Sequence, residues 1–148
     1  MDIHDSLASD HHHLRTLIED LRRQRQDSNP VLDTKLHELK THLTRHFARE
    51  EVYYRMVDFD KRFDDRGLIH QLRNDHAALI FGMESLLIRL RNKGPVTEWW
   101  DRFENLITVL LPHMDHEEKA LFPEAERLLT AEEWQTIRAA IATLESAS

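Results

Sequence analysis

The 148-residue chain contains no cysteine. That absence excludes disulfides, thiolate metal sites, iron–sulfur clusters held by this chain and thiol nucleophiles. Glycine and proline are scarce, at three and four residues, which favours long helices over many short strands. No apolar run approaches the ~18 residues of a membrane span, and the start Met1-Asp2-Ile3-His4-Asp5 lacks the basic flank of a secretory signal. Clustered lysine and arginine are also missing: the formal charge is −7, against a nucleic-acid-binding face. These absences point to a cytoplasmic, all-α protein with neither nucleic-acid nor membrane partners, and the length suits one domain over residues 1–148.

What the chain has in excess is histidine, eleven residues in all. His11-His12-His13 falls inside a helical pattern and so does not look like a tag. Stepping by three and four gives Leu7, position 11, Leu14, Ile18 and Leu21 for a first helix. The second runs Leu32, Leu36, Leu39, Leu43, positions 46 and 50, Tyr53 and Val57, across about 30–59. A third runs Ile69, Leu72, position 76, Leu79, Met83, Leu86 and Leu90, and a fourth Trp99, Phe103, Leu106, Leu110, positions 113 and 117, and Leu121. The interrupted positions hold His11, His46, Glu50, His76, His113 and Glu117.

Turn signals agree with these limits. Ser28-Asn29-Pro30 offers a cap and a first-turn proline, positions 60–66 make the middle connection, and Gly94-Pro95 ends the third helix. Thr130-Ala131-Glu132-Glu133 has the form of a capping box opening a short fifth helix to about position 144, placed to cover the bundle. The expected fold is an antiparallel up-down four-helix bundle over about 3–129, with a short C-terminal fifth helix.

Six polar residues then occupy core positions. An isolated buried carboxylate costs several kcal/mol, so Glu50 and Glu117 require a positive partner, and no seam lysine or arginine provides one. In an antiparallel hairpin, residues equidistant from the turn share a level. Positions 11 and 46 have their midpoint at 28.5, 46 and 76 at 61, and 76 and 113 at 94.5, all within the proposed turns. The four histidines therefore lie at one height, and each glutamate follows its histidine by four residues on the same face. The halves resemble a duplication, with Asp10-His11 and His46-x-x-x-Glu50-Glu51 against Asp75-His76 and His113-x-x-x-Glu117-Glu118.

Four imidazoles and two carboxylates suit iron better than a closed zinc site or an oxygen cage, with manganese as the weaker choice. Bridging glutamates and an oxo or hydroxo bridge between two six-coordinate irons leave one position open on each. O2, nitric oxide or peroxide could bind there.

At these residues the chain resembles the hemerythrin-like (HHE cation-binding) family, in its bacterial H…HxxxE…H…HxxxE form. The stretches His46-Phe47-x-x-Glu50-Glu51 and Glu117-Glu118-Lys119-Ala120-Leu121-Phe122-Pro123 carry the likeness over about 3–129. The resemblance implies a non-haem di-iron centre held by the six residues named above. It departs from the oxygen carriers, which have a histidine where this chain has Leu72 and an aspartate five residues after the fourth-helix histidine. Those differences argue against reversible oxygen transport. The di-iron domain of iron–sulfur cluster repair proteins is also similar, although the cysteine-containing region typical of them is missing here. Sensing, storage or detoxification of O2, nitric oxide or peroxide follows as the expected function. Enzymatic reduction of peroxide or nitric oxide, and iron handling, are the alternatives; the redox partner is not legible.

Other polar residues have plainer expectations. His42 and His116 lie close enough in sequence to their histidine neighbours to substitute as ligands, but solvated positions fit them better. His12 and His13 turn away from His11, and His4, His37 and His70 are expected on the surface or near helix ends. Asp10, Asp75, Glu51 and Glu118 are taken as surface charge, with orientation of the imidazoles as the alternative. Tyr53 is placed in the seam with an ordinary core partner or, alternatively, near the metal-bound ligand. Leu79 and Met83 wall the pocket, and Pro112 is expected to kink the fourth helix before His113.

Overall fold

In the computed structural model, residues 3–26, 31–58 and 66–146 are described. Helix α1 spans Ile3–Arg23, α2 Val31–Asp58, α3 Arg66–Arg91 and α4 Val96–His116. A five-residue π-helical segment, Glu117–Leu121, joins α4 to α5 at Phe122–Leu128, and α6 covers Ala131–Ser146. Packing of α1 on α2, α2 on α3 and α3 on α4 gives the all-helical bundle, with α6 laid against α2. The expected turn at 28–30 and most of the connection at 60–66 lie outside the described residues.

The buried faces follow the three-and-four stepping. Leu7, His11, Leu14, Ile18 and Leu21 are buried on α1, Leu36, Leu39, Leu43, His46, Glu50 and Tyr53 on α2, and Ile69, Leu72, His76, Leu79, Met83 and Leu86 on α3. On α4 the stripe passes through Ile107 rather than Leu106, which is only half-buried. A step of four from Phe103 reaches Ile107 and a step of three returns to Leu110, so both choices obey the helical period and packing selects between them.

Two apolar clusters form the core. One gathers Leu14, Ile18, Leu21, Leu39, Leu79, Met83, Trp99 and Phe103, among others; the second gathers Ile3, Leu7, Tyr53, Tyr54, Leu72, Leu121, Phe122, Ile137 and Ile141. Along each long helix the six polar seam residues fall between the members of these clusters. The bundle thus has a polar layer between two greasy ones, which is what excludes water from that layer.

The helix ends have identifiable chemistry. Thr130 N–H donates to Glu133 Oε1 at 3.0 Å and Glu133 N–H to Thr130 Oγ1 at 3.2 Å, completing the capping box. At the end of α3, Gly94 N–H reaches the Arg89 carbonyl at 3.4 Å while Lys93 adopts φ 53°. The left-handed position is therefore filled by Lys93, one residue before the glycine that sequence would assign to it. Regarding Pro112, α4 remains α-helical through it. The departure from α geometry comes later, at Glu117–Leu121, where one extra residue per turn lets Glu117, Leu121 and Phe122 all face inward.

Lys93→Gly relieves a left-handed non-glycine backbone and should raise unfolding free energy by about 0.5–1 kcal/mol. Thermal denaturation checks this; a lower melting temperature would contradict the turn geometry.

A candidate metal centre between the helices

The four histidines meet in the polar layer. Ring centroids lie 4.7 Å apart for His11 and His46 and 4.9 Å for His76 and His113, so the mirror relation about the turns holds in three dimensions. His11, His46, Glu50 and Glu117 bring one ligand atom each to within 4.8 Å of one another, and Glu50, His76 and His113 do the same. Glu50 belongs to both groups. Its Oε1 is 3.1 Å from His46 Nε2, 3.3 Å from His76 Nε2 and 3.8 Å from His113 Nε2, while Oε2 is 3.7 Å from His11 Nε2. Glu117 Oε1 spans the halves in the same way, 3.3 Å from His11 Nε2 and 3.2 Å from His113 Nε2.

Among the described residues neither glutamate pairs with a lysine or arginine. Both side chains are completely buried. His11 Nε2, His46 Nε2, both Glu50 oxygens and Glu117 Oε1 are buried without an aligned hydrogen-bond partner. Five such atoms in one protein interior would cost several kcal/mol. They converge, so cations between them would compensate that cost, and the donor set of imidazole nitrogen and carboxylate oxygen fits a transition metal.

The outward nitrogens of three imidazoles are held by carboxylates. Asp10 Oδ2 lies 2.9 Å from His46 Nδ1, Asp75 Oδ2 3.2 Å from His113 Nδ1, and Glu118 Oε1 2.9 Å from His11 Nδ1. Arg49 holds Asp10 at 2.5 Å, and Arg15 Nη1 and Nη2 each donate to Glu118 at 3.1 Å. The surface-charge expectation for Asp10, Asp75 and Glu118 is therefore wrong. Asp10 and Asp75 adjoin seam histidines in sequence and Glu118 adjoins Glu117, but each serves the imidazole of another helix, where accepting the Nδ1 hydrogen leaves Nε2 free to face inward. Glu51 differs, since it pairs with Arg73 at 2.5 Å.

His76 has a different support. It lies between two rings, stacked on Phe47 at 4.0 Å and on Tyr54 at 5.3 Å. It is also the most exposed of the four histidines, at 8%. A cavity of about 490 Å³ between α2 and α3, lined by Phe47, Ala48, Glu51, His76, Ala77 and Phe81, opens beside it.

Tyr54, not Tyr53, touches the centre: its hydroxyl donates to Glu117 Oε2. Burial and the nearby Glu50 charge push its phenol well above the ordinary value, so it keeps the proton it donates. Tyr53 instead bonds His4 Nε2 at 3.1 Å. His4 is buried rather than exposed, stacked on Phe122 at 4.6 Å with Nδ1 3.1 Å from Glu126. His42 turns to His13 and His116 is exposed, so neither joins the six. His12, His37 and His70 are on the surface as expected.

A family model described as the hemerythrin HHE cation-binding domain matches residues 2–125. The chain belongs to the hemerythrin HHE cation-binding family. Comparison with curated proteins and with solved structures finds no match. Family membership and the buried His/Glu groups together make this a metal-binding helical protein. No helix among the described residues is long and apolar enough to cross a membrane.

The electrostatics give the metal-free centre a distinct pH response. Burial opposes charge on His11 and His46, yet Glu50 raises both above their ordinary 6.5. Burial likewise opposes ionisation of Glu50, but His46 and its imidazole neighbours hold it well below 4.5. Burial depresses His76, keeping that ring neutral. The raised imidazoles contribute stability that is full below pH 6.5 and is lost as pH rises through their higher values. The lowered Glu50 contributes stability present above 4.5 and lost as pH falls through its folded value.

Two outcomes follow from this geometry. Metal requires neutral imidazoles, so the gain in melting temperature on loading with ferrous iron should be larger at about pH 8 than at about pH 6; a smaller gain at the higher pH would contradict the protonated-histidine account. Asp10→Asn and Glu118→Gln should each weaken metal affinity by about 10–100-fold in chelator competition, with Glu51→Gln, whose carboxylate touches Arg73, unchanged. Equal affinities for all three variants would remove the supporting role.

Proposed function

We propose that this chain holds two non-haem iron ions and binds a small ligand, O2, nitric oxide or peroxide, at positions the protein leaves uncoordinated. His11 and His46 would hold one ion and His76 and His113 the other, with Glu50 and Glu117 shared. The observation that carries the reading is the set of inward-facing buried atoms without aligned partners, arranged as two groups with Glu50 in common. Iron so held supplies one-electron chemistry and labile positions for a small ligand. Manganese fits the same donors less well, because four imidazoles favour the later metal.

The protein's own part is to orient and to exclude. Asp10, Asp75 and Glu118 fix three imidazoles, Tyr54 fixes the second oxygen of Glu117, and the two apolar clusters keep water out of the layer. The cavity at His76 provides the approach. Its walls of Phe47, Ala48, Ala77, Ile80 and Phe81 favour an uncharged, compact ligand over an anionic metabolite. Binding for sensing, storage or detoxification is the first reading.

Reduction of peroxide or nitric oxide is the second, and one residue favours it. Leu72, fully buried one turn before His76, stands where oxygen carriers supply a further histidine. A non-ligating side chain there leaves more of the metal's coordination to solvent or substrate.

Metal analysis should find about two irons per chain when every candidate ligand participates, with a marked loss in His46→Ala and in Glu117→Ala. Anaerobically reduced protein should then be mixed separately with O2, peroxide and nitric oxide while its optical spectrum is followed. A lasting, reversible adduct supports a binding protein and repeated consumption an enzyme. Unchanged iron content in both variants, or no spectral response to any of the three, would overturn the proposal.

A further inference from the structure

Two histidines outside the central layer also meet. Positions 13 and 42 add to 55, against 57 for positions 11 and 46, so the α1–α2 hairpin that aligns the inner pair aligns this outer pair as well. His13 Nε2 and His42 Nε2 are 3.3 Å apart, with ring centroids separated by 4.4 Å and planes at 74°. His13 is exposed and His42 half-buried.

That spacing is the one a shared ion demands. Two imidazole nitrogens about 2.0–2.1 Å from one tetrahedral ion stand about 3.3 Å from each other, and the inner pair His76 and His113 shows 3.2 Å between its Nε2 atoms. Two neutral imidazoles can share only one hydrogen between facing nitrogens; a cation engages both lone pairs. Beside the pair lies a cavity of about 300 Å³ bounded by Ser9, Asp10, Arg45 and His46. It leaves room for water to complete the coordination. Asp10 is already engaged by His46 and Arg49, so the two imidazoles are the protein's donors.

We propose that His13 and His42 form a second metal site on the surface, for a divalent ion that favours imidazole, namely zinc, copper or nickel. Without thiolate or a free carboxylate, nitrogen donors select these ions over calcium and magnesium. The site does not depend on which metal fills the central layer. Its two histidines come from adjacent helices, so binding also ties α1 to α2.

Zinc is the probe that tests it. Full-length protein, first loaded with ferrous iron and desalted, is titrated with Zn²⁺ by calorimetry in parallel with His13→Ala, His42→Ala and the double variant. The wild type should take up one zinc per chain more than the double variant, and each single variant should weaken that event by more than about tenfold. Iron content and helicity should be the same in all four, since neither side chain faces the inner centre. Because the readout is a difference between wild type and variant, it holds even if the central layer takes a metal other than iron. Equal zinc stoichiometry and affinity in the wild type and the double variant would overturn the site and leave a hydrogen-bonded histidine pair.

Discussion

Two carboxylates removed from water, Glu50 and Glu117, constrain everything around them. Neither has a lysine or arginine among the described residues; their neighbours are the Nε2 atoms of four histidines at 3.1–3.8 Å. A buried acid left alone would take up a proton or unfold the chain. Here His11 and His46 can carry protons in the metal-free state, and cations replace those protons when metal binds. Folding and metal loading are thereby parts of one equilibrium.

The layered core is the structural answer to that constraint. Apolar clusters on both sides strengthen every electrostatic interaction in the layer by excluding water. Around it, the sequence duplication is carried into the supporting residues: Asp10 on α1 holds His46 on α2, and Asp75 on α3 holds His113 on α4. The duplication breaks at one point. Glu118 holds His11, but its counterpart Glu51 pairs with Arg73, and His76 is gripped by Phe47 and Tyr54 instead. That asymmetric corner is also where the cavity reaches the layer. The two overlapping His/Glu groups thus acquire one approachable side.

The helices and the six central residues were legible because each polar residue interrupts an apolar stripe, and because distances from the turns are simple arithmetic. The supporting residues were harder. Asp10, Asp75 and Glu118 sit next to the seam residues His11, His76 and Glu117 in sequence, where the helical period turns them away from the seam, and their partners are on other helices. The repeated Asp-His pair at 10–11 and 75–76 was the available signal. Tyr53 and Tyr54 lie three and four residues past Glu50, both allowed by the period, and only packing decides that Tyr54 faces Glu117. His4 was missed because a helix end is usually wet; here Phe122 and Trp134 cover it, at 4.6 and 4.7 Å. The π segment at Glu117–Leu121 has no evident local sequence cause.

The central claim is that these desolvated acids and imidazoles surround a pair of cations. Anomalous diffraction at the iron edge, from crystals of the iron-loaded protein, tests it most directly. The account requires two peaks in the layer, both against Glu50, with one beside His11 and His46 and the other beside His76 and His113. Iron peaks only elsewhere on the protein, or none in a fully folded layer, would contradict it.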